Sequence, residues 1–320
     1  MGFNRENYKR IKEEYDGKYL RTAERAQLKR AEVHTRLPEV YRIDRELSGM
    51  GVRIFEASVS GNSEMLDTIY AENRRLLKKR GELLKEAGFP ENYTDIQYEC
   101  PLCGDTGVVD YHMCKCMRDK LVAAGLESSG MADLIAKQSF DNFDIRYYKG
   151  EAYSRMVAIV QKLKQYAETF EVEKSGNILM MGGTGLGKTH LSSAIGKIII
   201  EKGNDVYYTT AMGMFSDFEM NRFGNSVSYE ATGETEKYYS CDLLIIDDLG
   251  TEVVNQFTSS CLYNVINMRL NRKKSTVINT NFTREEIRKK YQDRIASRIF
   301  GEYLVLPFMG TDIRELKLNR

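Results

Sequence analysis

Eight residues constrain this chain more than any other feature: Gly182-Gly183-Thr184-Gly185-Leu186-Gly187-Lys188-Thr189. They read G-x-x-x-x-G-K-T, the Walker A phosphate-binding pattern. The flanks give the pattern its weight. Asn177-Ile178-Leu179-Met180-Met181 precedes it, short and apolar like a buried strand, and residues 190–200 follow with apolar side chains at helical spacing. Strand, glycine loop and helix together aim backbone N–H groups and a helix N-terminus at one electropositive point suited to a polyphosphate. In this reading the loop, with His190 just beyond it, cradles the phosphates of ATP. Lys188 reaches the β- and γ-phosphates, and the Thr189 hydroxyl ligates Mg²⁺.

Further apolar runs alternate with helical stretches. Asp205-Val206-Tyr207-Tyr208-Thr209-Thr210 reads as a second strand, followed by a helix over 212–223 and a polar stretch, 224–233, expected to be a loop. Leu243-Leu244-Ile245-Ile246-Asp247-Asp248 is a buried strand ending in two carboxylates, a Walker B. A helix over 258–270, a strand at Ser275–Thr280 and another at 303–306 complete the pattern. Such alternation predicts an α/β fold with a parallel sheet, and ligand groups gather at the carboxyl ends of its strands. Asp247 is therefore expected to hold Mg²⁺ opposite Thr189, and Asp248 to orient or deprotonate the attacking water. Asn281 follows the strand at 275–280 and offers a neutral amide to the γ-phosphate or the water. Arg294 and Arg298, four apart, share one face of a helix.

The N-terminal part has a different character. Residues 1–92 are rich in Lys, Arg, Glu and Ala and read as helices. Tyr8, Ile11, Tyr15, Tyr19 and Leu20 form an apolar stripe on the first. Pro38 opens a second, with Val40, Tyr41, Ile43 and Leu47 on its buried side. A third carries Leu66, Ile69, Tyr70, Leu76, Leu77, Leu83 and Leu84 and stops at Gly88-Phe89-Pro90. Over 93–120 comes Cys100-Pro101-Leu102-Cys103-Gly104, then Cys114-Lys115-Cys116. These four thiols can close a tetrahedral structural Zn²⁺ site, with Val108-Val109-Asp110-Tyr111 between the pairs as a hairpin strand. C-x-C is tighter than the usual C-x-x-C, so His112 is an alternative fourth ligand. Cys241 and Cys261 read as ordinary buried cysteines. A helix over 117–138, counted as a linker from 121, leads to the ATPase domain at 139–320.

Whole-chain properties exclude several classes. Lys and Arg number 47 against 46 Asp and Glu, net charge +1, so no global field steers the protein to nucleic acid or membrane, and a DNA site must be a local patch. The N-terminus lacks the charged-then-apolar layout of a secretory signal, and no apolar run approaches the roughly 20 residues of a membrane span. Clustered cysteines fit a reducing cytoplasm and a metal better than a disulfide framework.

Taken together, GGTGLGKTHL (182–191), LLIIDDLG (243–250), the Thr280-Asn281 pair and DRIASRIF (293–300) resemble the AAA+ ATPases. More narrowly the chain is similar to the DnaC/DnaI helicase loaders and the IstB transposition ATPases, over about 139–315. The cysteine-bearing helical N-terminus resembles that of Gram-positive-type loaders. The resemblance implies sheet order 5-1-4-3-2, a sensor role for Asn281 and an arginine-finger role for Arg298 toward the ATP of a neighbouring subunit, with Arg294 as the alternative. It implies head-to-tail self-association, single-stranded DNA and a replicative helicase as partners, and helicase loading as the function. A transposition helper acting on duplex DNA is the other reading. Two departures stand out. Asp248 occupies a position where most AAA+ proteins carry Glu, which implies slow hydrolysis. About twenty residues follow Phe300, too few for a full lid, leaving Arg314 as a stand-in for the lid arginine. In related loaders the region between the Walker motifs contributes to single-strand binding, which points to Arg222 and Phe223, although Met212, Phe215 and Phe218 on the same helix have the spacing of core residues.

Overall fold

The computed structural model describes residues 3–61, 63–135, 137–223 and 235–318. The chain divides into two compact units, one of Lys12–Met117 and one of Met1–Ile11 with Arg118–Arg320. The polar stretch 224–233 and Asn62 lie outside the described residues.

Helices α1 (Arg5–Arg36), α2 (Pro38–Val59) and α3 (Ser63–Glu86) supply most of the first unit. Pro38 stands at the first turn of α2, where its missing N–H costs nothing. Arg53 pairs with Glu72 and Asp44 with Arg80, and Val40 shares a cluster with Leu84, so α2 and α3 run antiparallel. Val33, Val40 and Leu84 form one small core and Ile43, Met50 and Leu76 another. The apolar stripes were expected to be wider than they are. Ile11, Tyr15, Ile69, Leu76 and Leu84 are buried, but Tyr19, Leu20, Tyr41, Tyr70 and Leu77 are exposed.

Next come a two-residue hairpin, β1 (Val108–Val109) and β2 (His112–Met113), and helix α4 (Lys115–Ser128). Asp110 and Tyr111 both hold positive φ, 47° and 64°, the conformation that a tight two-residue hairpin turn requires. The linker helix expected over 117–138 starts earlier and breaks: Gly130 takes φ 73° and a separate short helix, α5 (Ala132–Ile135), follows.

Helices α6 (Gly150–Glu168), α7 (Lys188–Glu201), α8 (Ala211–Phe223), α9 (Lys237–Ser240), α10 (Gln256–Asn271), α11 (Arg284–Glu302) and α12 (Ile313–Leu318) surround strands β3 (Asn177–Met181), β4 (Val206–Thr210), β5 (Leu243–Leu249), β6 (Ser275–Thr280) and β7 (Tyr303–Pro307). The order is β4-β5-β6-β3-β7, all parallel, which is 5-1-4-3-2 counted from β3 as expected. Period-two alternation divides each strand between two cores. Ile178, Met180, Leu243, Ile245 and Val277 face α6 and α7, while Leu179, Leu244, Ile246 and Ile278 face α8, α10 and α11. Arg269 of α10 is fully buried; it donates to Thr276 Oγ1 and to the carbonyls of Tyr238, Cys241 and Ser275, pinning the start of β6. Among the described residues no helix is long and apolar enough to cross a membrane.

Candidate nucleotide and metal sites

The phosphate loop joins β3 to α7 under tight steric control. Gly182 holds φ 149°, and a Cβ there would lie 2.4 Å from the Phe308 carbonyl oxygen. Gly187, φ 78°, is the N-cap of α7, and a Cβ would meet the Phe143 ring at 2.7 Å. From outside, the Tyr148 hydroxyl donates to the Leu186 carbonyl at 2.8 Å. The loop opens into a cleft of about 560 Å³, a common size for a small-molecule site. Thr184, Gly185, Leu186, Gly187, Lys188, Thr189 and His190 all line it, with Asp248 and Asn281 from the strand ends. Phe143 and Tyr147 form one apolar wall and Ile313 another, while Arg314 adds a cation.

Lys188 is largely buried. Its ammonium donates to the carbonyls of Gly182 and Gly183 at 2.6 Å each and to Asn281 Oδ1 at 2.7 Å. Burial lowers its pKa, against the pull of Asp247 and Asp248. Asn281 therefore stands beside Lys188, as its place after β6 requires. The two Walker B acids part company. Asp248 lines the cleft at φ 51°, and its carboxyl is pushed up by burial and then by Asp247. Asp247 is 2% exposed and lies behind that wall, bonded to Tyr208, Asn279 and the Asp248 amide. A register irregularity between Ile246 and Leu249 accommodates the change of direction. His190 lines the cleft with its Nε2 paired to the Ser139 carbonyl at 2.8 Å, edge-on to Phe143.

Neither finger candidate reaches this cleft. Arg298 donates to Asn267 Oδ1 at 3.1 Å and lies over the Tyr263 ring, 4.6 Å from its centroid. Arg294 is exposed beside a separate cleft with Ser259 and Tyr263, two residues past Gln292, whose φ of 64° breaks α11. On α8, Phe215 is buried, Met212 is exposed and Arg222 lies over the Phe257 ring; the side chain of Phe223 lies outside the described residues.

In the first unit Cys100, Cys103, Cys114 and Cys116 bring their sulfurs within 4.8 Å of one another. The Cys100–Cys114 and Cys103–Cys116 separations are 3.8 and 3.6 Å. Four thiolates about 2.3 Å from a tetrahedral Zn²⁺ would stand about 3.8 Å apart, so the quartet fits that ion. The Gly107 amide donates to Cys103 Sγ at 3.4 Å, and hydrogen bonding from the Cys103 amide pulls the Cys100 thiol down to about 7. His112 is outside the quartet: exposed, with Nδ1 paired to the Asp110 carbonyl at 2.7 Å. Sequence reasoning missed Asp105. Fully buried at φ 58°, it accepts from the Glu99 and Cys100 amides and holds the knuckle's shape. It also missed Phe143 and Tyr148, which nothing in local sequence connects to a loop forty residues away.

A parallel sheet in this order, with a phosphate loop after its first strand and acids and an amide at the neighbouring strand ends, defines a P-loop ATPase core of the AAA+ type. The family model described as IstB-like ATP binding protein matches residues 112–303, and the chain belongs to that family. It is similar to the replicative helicase loader DnaC of Buchnera aphidicola subsp. Acyrthosiphon pisum (strain APS), 26% identical over 191 residues that make up 59% of this chain and 74% of that protein. Against the protein of the same name from Escherichia coli (strain K12) it is 29% identical over 174 residues, 53% of this chain and 66% of the other. The crystal structure of the DnaC helicase loader superposes with a TM-score of 0.47 at 21% identity, covering 55% of this chain and 98% of that one.

Proposed function

We propose that this protein is an ATP-hydrolysing helicase loader that delivers a replicative DNA helicase onto single-stranded DNA. One observation carries the nucleotide part: Lys188, Asn281 and Asp248, distant in sequence, converge with the phosphate loop on one cleft. Names of the relatives carry the rest, since both are replication proteins, which favours loading over transposition. In this reading the loop amides and Lys188 hold the β- and γ-phosphates, Thr189 and Asp247 hold Mg²⁺, Asn281 positions the γ-phosphate and Asp248 orients the water. Mg²⁺ supplies charge neutralisation on the phosphate oxygens. Arg298 serves the ATP of a neighbouring subunit, so subunits assemble head to tail.

Zn²⁺ on the four cysteines is structural, holding 93–120 together beside the helices of 1–92. The helical unit docks the helicase; Val52, Phe55 and Val59 form an exposed apolar row on α2, 62%, 68% and 74% accessible. The test combines two measurements: ATP turnover with and without single-stranded DNA, and co-elution with a hexameric replicative helicase in the presence of ATP. Absence of turnover under every condition overturns the ATPase reading. Turnover without helicase binding overturns the loader reading alone.

A further inference from the structure

We propose that Tyr208 is a positioning residue for Asp247, its hydroxyl fixing the single lone pair through which that carboxylate meets Mg²⁺ or a water on it. The inference rests on the Mg²⁺–ATP reading above. Asp247 Oδ1 accepts from Asn279 Nδ2 and from the Asp248 amide, both at 2.9 Å. Its Oδ2 accepts from the Tyr208 hydroxyl at 2.6 Å. A carboxylate offers about four lone-pair sites, two on each oxygen. Both sites on Oδ1 are taken and one on Oδ2, so the remaining site on Oδ2 is the one through which a cation is reached, and Tyr208 decides which site that is.

The placement of Tyr208 is firm. In the β4–β5 register it pairs with Ile245, two residues before Asp247, so strand alternation puts the three side chains on one face. Its own amide donates to the Ser129 carbonyl at 2.9 Å. On the other side of Asp247, fully buried Asn279 also donates to Ser192 Oγ at 2.9 Å, and that hydroxyl donates to the Thr189 carbonyl at 3.0 Å. A continuous chain of hydrogen bonds thus runs from Thr189 to Tyr208 through Asp247. It sets both proposed Mg²⁺ ligands in one frame, in the way outer groups orient metal ligands elsewhere.

The test is Tyr208→Phe in the full chain, which keeps the ring and removes the donor. A fluorescent ATP analogue is titrated at fixed Mg²⁺ concentrations and again in chelator. We expect the Mg²⁺ concentration for half-maximal enhancement of binding to rise about tenfold, with metal-free affinity unchanged. Thermal unfolding without nucleotide checks that the variant is folded. An unchanged Mg²⁺ requirement in a folded Tyr208→Phe protein overturns the inference and leaves the ATP reading standing. Wild-type protein that binds nucleotide with no response to Mg²⁺ overturns both.

Discussion

The Lys188 ammonium donates to Asn281 Oδ1 at 2.7 Å, across 93 residues of sequence. Two loop carbonyls are its other acceptors, and in the proposed site phosphate oxygens would replace them. Lys188→Ala should therefore weaken ATP binding about ten- to a hundredfold, the worth of one or two charge-assisted bonds. Asn281→Ala should leave binding within a few-fold and lower turnover. Nucleotide titration alongside a phosphate-release assay separates the two.

The water-orienting role proposed for Asp248 predicts that turnover depends on pH. Burial and then Asp247 raise its carboxyl above the ordinary 3.8, against the opposing pull of Lys188 and Arg314. For an acid raised in the folded state, the contribution to stability is present below the unfolded value and is lost as pH rises through the folded one. Activity runs the other way, because only the ionised group accepts a proton. The acid limb of kcat/KM should lie above the ordinary carboxylate value. Asp248→Asn should remove most turnover and keep ATP binding; turnover equal to wild type would exclude the water-orienting role.

Purified protein should carry about one Zn²⁺ per chain, as a closed four-thiolate site does. Cys100→Ser with Cys103→Ser should lose the metal and make residues 93–120 protease-sensitive, with nucleotide affinity within twofold of wild type. Metal analysis of protein prepared without chelator checks the first point and limited proteolysis the second.

Arg298 lies against Tyr263 and Asn267 and not in the cleft of Lys188. A finger that serves another subunit predicts turnover rising faster than linearly with protein concentration. Arg298→Ala should bind ATP normally and lose most activity. Mixed with Lys188→Ala, itself inactive, it should regain part of that activity. If mixing restores nothing while both variants still assemble, Arg294→Ala belongs in the same assay.

The exposed row on α2 predicts a separable defect. Phe55→Ser should weaken helicase binding at least tenfold, as loss of an aromatic anchor commonly does, with ATP turnover and zinc content unchanged. Loss of helicase binding by Arg298→Ala alone, with Phe55→Ser neutral, would move the docking face elsewhere.

The sheet was legible in the sequence because its strands are short apolar runs ending in chemistry: Met181 before the glycine loop, Asp247-Asp248, Thr280-Asn281. The parallel pairings between them follow from covering helices whose periodicity is visible. Less was legible where geometry is set by distant groups. Tyr208 reads as an ordinary β-former, and only the β4–β5 register reveals that its hydroxyl meets Asp247. Gln292 carries no sign of its positive φ. Helix α6 went unread although Met156, Ile159, Leu163 and Ala167 recur at helical spacing and are buried. Stripe-reading failed in the other direction on α1 to α3, where Leu20, Tyr41 and Leu77 continue the apolar pattern into solvent, since periodicity states which face is apolar and not what is available to cover it.

The strand order has a consequence for synthesis. Strand β3 finds its two neighbours only in β6 and β7, both encoded long after it; the Thr276 amide bonds to Asn177 Oδ1 across 99 positions. At roughly 5–20 residues per second, the phosphate loop leaves the ribosome several seconds before the strands that hold it exist. Until then β3 is an apolar segment with both edges open. The loop that would hold the phosphates of ATP also lacks its support in that interval, because β6 and β7 flank the strand that carries it. The nascent chain passes through that interval unliganded, and its yield in a cell should respond to chaperone supply more than to nucleotide supply.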